Sequence, residues 1–156
     1  MTKSAAWLVL VALASGCAST PETAEAPAFP EKRFLNLPYR SAPNGYTHVV
    51  KSPPGTMVFL SGAGGADREG HMPDDFATQA QNAFENLKAG LELAGATFDD
   101  VVKITYFLTG MDDLGELREV RARYLNMGAP PAASAVQTGL GGAMKIEVEL
   151  IAVIPE

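Results

Sequence analysis

Lys145 to Ile154 reads KIEVELIAVI, and this stretch decides the fold. Side chains alternate between the two faces of a strand. Ile146, Val148, Leu150 and Ala152 therefore point one way, and Glu147, Glu149, Ile151 and Val153 the other. The first set is wholly apolar and belongs beneath helices. The second mixes two acids with two large aliphatic residues. Val101 to Leu108 (VVKITYFL) is a similar strand, with Val101 and Phe107 set opposite Val102, Ile104, Tyr106 and Leu108. Strands that are apolar on both faces need cover on both sides.

Working outward, two helices supply cover for one side. After a cap at Asp74 or Asp75, Phe76, Ala80, Ala83, Phe84, Leu87, Leu91 and Ala94 recur at helical spacing, and Gly95 ends the run. A second helix is predicted from Leu114 to about Leu125, with Leu114, Leu117, Val120, Arg121 and Tyr124 on its inward side and the Arg121 stem along that face. Tyr46–Lys51 (YTHVVK) and Thr56–Ser61 (TMVFLS) read as strands. Ser52-Pro53-Pro54-Gly55 lies between them and predicts a hairpin. Ala133–Thr138 adds a strand before the last one. The order ββαβαββ, with Arg33–Leu37 as an extra first strand, predicts an α+β domain over residues 32–156, one sheet with two helices on one face. The other face is then left for a second copy of the chain to cover.

The chain ahead of this domain reads as a targeting segment. Lys3 precedes Ala5–Ala14 (AAWLVLVALA), a run of ten apolar residues. That is shorter than the ~20 needed to span a bilayer and fits a signal-peptide core. Ala14-Ser15-Gly16-Cys17 follows and resembles a bacterial lipobox, although Leu13 stands one place earlier than usual. Residues 1–16 are thus expected to be a lipoprotein signal peptide, with Cys17 the lipid-bearing residue. Cys17 is the single cysteine, so no internal disulfide can form. Residues 18–31 (ASTPETAEAPAFPE) are rich in Pro, Ala and Glu and read as a flexible tether. The expected location is the periplasmic side of the cell envelope, held to a membrane by lipid. Ala18 after the cysteine is compatible with the outer membrane.

Composition narrows the chemistry. The formal net charge is -6, which argues against a nucleic-acid partner, because phosphate backbones demand clustered base. Arg118, Arg121 and Arg123 are the one local concentration, and at that spacing they read as a solvated helix face. Gly62, Gly64 and Gly65 lack the Lys-Ser/Thr of a phosphate loop. His48 and His71 are the only histidines, too few for a transition-metal site. No metal or organic cofactor is expected.

Several pieces now combine. Gly45-Tyr46-Thr47-His48, Val58-Phe59-Leu60-Ser61-Gly62, Gln79 with Asn86-Leu87, Ala94-Gly95-Ala96, Asp99-Asp100-Val101-Val102-Lys103, Pro131-Ala132 and Ile146-Glu147-Val148-Glu149 occur in this order. Together they cover about 110 residues. This segment resembles the RidA (YjgF-type) family of reactive-intermediate deaminases. The resemblance implies a chorismate-mutase-like α+β domain, a homotrimer with clefts between subunits, and hydrolysis of 2-imino acids or their enamines to 2-keto acids and ammonia without a cofactor. By the same resemblance Glu147 is the water-positioning catalytic carboxylate, and Tyr46, Ser61, Gly62 and Ser134 line the substrate cleft. One departure stands out. The family arginine that follows Pro-Ala and grips the substrate carboxylate is Ala133 here, and the thiol two residues later is Ala135. Lys103 and Lys145 are replacement cations by type alone.

Two readings of function therefore stand open. One is an envelope imine or enamine hydrolase acting on an altered small-molecule substrate. The other is a non-catalytic trimeric lipoprotein that binds a ligand or partner. For the anchor, the expected result is incorporation of labelled palmitate into the chain in a bacterial host and its loss in Cys17→Ser. An unlabelled parent chain contradicts the lipobox reading.

Overall fold

The computed structural model describes residues 31–156. The expected signal peptide, Cys17 and nearly all of the tether lie outside the described residues. Six strands and two α-helices follow in the order β1 (Arg33–Leu35), β2 (Val49–Lys51), β3 (Gly55–Gly64), α1 (Phe76–Leu93), β4 (Val101–Leu108), α2 (Leu114–Arg121), β5 (Ala132–Gln137) and β6 (Ile146–Pro155).

β6 is the axis of the domain. It pairs antiparallel with β3 on one side and with β4 on the other, and β5 joins β4 in parallel. The sheet order is β3-β6-β4-β5. Parallel neighbours need a crossover, and α2 lies in the connection from β4 to β5. The expected α+β architecture is present, with both helices packed on a mixed sheet. Ile146, Val148 and Ala152 are fully buried, as are Ile104 and Leu108 on the adjacent strand. They meet Phe84, Leu87, Leu91 and Leu117 from the helices in one core. A register shift between Val101 and Lys103 places Val101 in this core rather than opposite Ile104.

The helix signals were sound at their starts. Asp75 caps α1, its side chain accepting from the Thr78 backbone N–H at 2.8 Å. That bond holds the Asp75 carboxyl below its ordinary range. Gly95 turns the chain out at φ +73°. Ala94 is exposed at the C-cap instead of buried. α2 ends at Arg121, four residues early, and Tyr124 follows in a turn closed by a Leu125 N–H to Arg121 carbonyl bond. Tyr124 still faces inward, stacked on Phe84 with centroids 4.9 Å apart.

The predicted hairpin between Tyr46–Lys51 and Thr56–Ser61 does not form. β2 pairs with β1 in a separate two-stranded ribbon, Phe34 opposite Val50, while β3 pairs with β6. The cause lies in the connector. Tight hairpin turns need positive φ at their central residues, and Pro53-Pro54 fixes φ at negative values. Pairing with β6 also sets Val58 opposite Ala152 and Leu60 opposite Leu150, which builds the core.

Gln79 is fully buried and locks two loops to α1. Its Nε2 donates to the Pro73 and Ala143 carbonyls at 2.6 and 3.0 Å, and its Oε1 accepts from the Lys145 N–H at 2.7 Å. Gln79→Leu leaves three buried backbone groups without this partner. The expected cost is about 3 kcal/mol or more, roughly a 10 °C fall in Tm by thermal circular dichroism. An unchanged Tm contradicts the clamp.

Candidate functional site

The sheet face away from the helices is open. Met57 and Phe59 of β3 are 55% and 68% exposed. Beside them Ser61, Lys103, Thr105, Glu149 and Ile151 line a shallow cavity of about 360 Å³. Apolar side chains this bare on a sheet face mark a surface that seeks cover.

Glu147 emerges from this side of β6, half-buried at the position paired with Gly64 and Phe107. Its carboxyl lies directly over Gly62, where a built Cβ would come within 2.1 Å of Oε1. A side chain at position 62 would displace the carboxyl from this seat. The end of β3 is held in turn by amides of α1. Asn82 Nδ2 donates to the Gly65 carbonyl at 3.0 Å, and Asn86 Nδ2 donates to those of Gly64 and Ala66 at 3.1 and 3.0 Å. With the Gln79 clamp on the Lys145 N–H, one helix sets both chain segments that bring Ser61, Gly62 and Glu147 together.

Tyr46 and Ser134 belong to a second cluster. Thr47 bridges to Ala132 at the start of β5, donating its N–H to the Pro131 carbonyl and its hydroxyl to that of Pro130. This brings the half-buried Tyr46 beside Ala133, Ser134 and Ala135 in a cavity of about 270 Å³. The Tyr46 ring rests edge-on against His48, with centroids 5.6 Å apart. Ser134 Oγ accepts from Lys103 Nζ at 2.9 Å, and the same ammonium donates to the Ile104 carbonyl. Burial lowers the Lys103 pKa, and Glu149 opposes that shift. Lys103 thus lies between Ser134 and the open-face cavity.

The far wall of the second cavity corrects one expectation. Arg118 and Arg121 of α2 line it, and Arg121 is 5% exposed rather than solvated. The sign of this was in the spacing, since Arg121 follows Leu117 by four residues and Leu114 by seven and so shares their inward face. Arg121 Nη2 donates to the Asn44 carbonyl at 3.1 Å, and its guanidinium carbon sits 5.9 Å from the centre of the Tyr106 ring. Burial raises the Tyr106 hydroxyl to about 12, against a smaller downward pull from Arg121. Among the described residues no three His, Cys, Asp or Glu side chains converge as metal ligands would.

Residues 39–154 match the family described as Endoribonuclease L-PSP. The chain is 40% identical over 111 residues to Protein DfrA of Myxococcus xanthus, covering 69% of this chain and 84% of that protein. It is 31% identical over 126 residues to a 2-iminobutanoate/2-iminopropanoate deaminase of Dermatophagoides farinae, covering 79% and 97%. The crystal structure of RidA from the Antarctic bacterium Psychrobacter sp. PAMC 21119 superposes with a TM-score of 0.61 at 37% identity, covering 73% of this chain and 92% of that one.

Gly45 tests how tightly Arg121 is seated. It adopts φ +74°, and a Cβ there would fall 2.0 Å from Arg121 Nη2. Gly70 has a similar φ of +85° with nothing within 4 Å. Gly70→Ala is expected to cost about 1 kcal/mol for backbone strain alone. Gly45→Ala is expected to cost at least ~1 kcal/mol more by denaturant unfolding. Equal losses contradict the close seat.

Proposed function

Because the chain belongs to the Endoribonuclease L-PSP family, we propose that it is an imine or enamine hydrolase of RidA type. It forms a trimer in the cell envelope, is lipid-anchored through Cys17, and acts on a small molecule in a cleft between subunits. The observation that carries this reading is Glu147 lying over Gly62 next to Ser61. A carboxylate set against close backbone at a strand end suits a water held for attack. In the proposed reaction water adds to the C=N carbon while Glu147 takes its proton. Glu147 returns that proton to the nitrogen to give the carbinolamine, then takes the hydroxyl proton and passes it to the nitrogen as the C–N bond breaks, leaving a carbonyl and ammonia. Tyr46, Ser61, Gly62 and Ser134 orient the substrate.

Two observations support the assembly. The sheet face opposite the helices is apolar and open at Met57 and Phe59. Both cavities, one holding Ser61 and the other Tyr46, are open to the surface, which suits a site completed by a neighbour. The proposed chemistry, as distinct from the assembly, is supported by similarity to a 2-iminobutanoate/2-iminopropanoate deaminase. The family description names a ribonuclease, but a net charge of -6 favours a small-molecule substrate over RNA.

A second reading draws on Ala133. Without a guanidinium on β5, the protein is a binding module for a ligand and catalyses little. Ammonia release from freshly generated 2-iminobutanoate separates the two. The expected result is activity in the parent chain that falls about 100-fold or more in Glu147→Gln. No release from the parent or from Ala133→Arg favours the binding module.

A further inference from the structure

We infer that the anion anchor absent from position 133 is supplied by α2, so that Arg118 and Arg121 bind the carboxylate of a small ligand in the Tyr46 cavity. This rests on the small-molecule reading above and deepens it. The cavity is lined by Tyr46, Tyr106, Arg118, Arg121, Ala133 and Ala135, among others, and no acidic side chain is part of its lining. In a chain of net charge -6, a concave site with two cations and no acid favours an anionic occupant. Its volume of about 270 Å³ is below the ~300–1,000 Å³ of drug-sized pockets and restricts the occupant to a small molecule.

The hydrogen bonding points the same way. Arg121 Nε and the Tyr106 hydroxyl are both buried without a hydrogen-bond partner, although their residues are only 5% and 1% exposed. Buried polar groups are nearly always paired; the Asn44 carbonyl takes Arg121 Nη2, and the Arg121 guanidinium and the Tyr106 hydroxyl lie close enough to influence each other, leaving Nε without a hydrogen-bonded acceptor. Arg118 is exposed, and among the described residues no carboxylate pairs with it. Guanidinium groups suit carboxylates because their donors match both oxygens. Ala133 and Ala135 are small and leave room between β5 and this wall. The guanidinium groups thus stand on the helix wall of the cavity, across from Ala133 on the strand wall, which sets the direction from which the ligand is held.

Binding of 2-oxobutanoate and of its methyl ester, measured by isothermal titration calorimetry on the whole chain, tests this without requiring turnover. The expected result is that the acid binds and the ester binds at least tenfold more weakly. Arg118→Gln should weaken the acid about tenfold or more while leaving Tm nearly unchanged, and adding Ala133→Arg to it should restore affinity. Arg121→Lys, which keeps charge but loses the fork, should weaken binding as well. No binding of the acid, equal binding of acid and ester, or an affinity untouched by Arg118→Gln overturns the inference. Arginine-dependent binding without ammonia release would sink the hydrolase reading and leave this one standing.

Discussion

The structure depends on one constraint, that β6 is hydrogen-bonded on both edges and apolar on much of both faces. Its inward residues, from Ile146 to Ala152, are sealed by α1 and α2. On its outward side Met57 and Phe59 of the neighbouring β3 are left uncovered by the described residues. Two helices can shield only one side of a four-stranded sheet. The open side carries Met57 and Phe59 together with Lys103, Glu147 and Glu149, which is the mixture of apolar core and polar rim expected of an interface.

The site follows from the same arrangement. Glu147 stands on the outward face because it alternates with Ile146 and Val148, so sealing the core and presenting the carboxylate are one event. α1 then fixes its surroundings through Gln79, Asn82 and Asn86, whose amides hold the backbone at both strand ends. Tyr46 reaches β5 by a different route, carried by the bridge between Thr47 and Ala132. The two clusters have separate supports, which is why a site that needs both draws on more than one subunit in the account proposed here.

Much of this was legible in the chain. Periodicity located α1, β4 and β6, because long runs of alternating or helically spaced apolar residues leave little choice. The inward set of β6 was read residue by residue. The pairing of Tyr46–Lys51 was not legible, since short β-rich runs carry no label for their partner and Pro53-Pro54 looked like a turn while acting as a passage between sheets. The role of Gln79 was hidden because a glutamine on an apolar helix face shows its worth only when the loops it bonds are in place. Arg121 was placed on the inward side of α2 by its spacing, but its charge was grouped with a solvated basic face because basic residues are usually exposed. Its burial depends on a glycine at position 45, which lies far away in sequence and makes room for the guanidinium.

The central claim is that the open sheet face is covered by copies of the same chain. Multi-angle light scattering of the unlipidated protein tests it most directly. The account predicts a particle of three times the chain mass, and a species of one chain mass at micromolar concentration contradicts it.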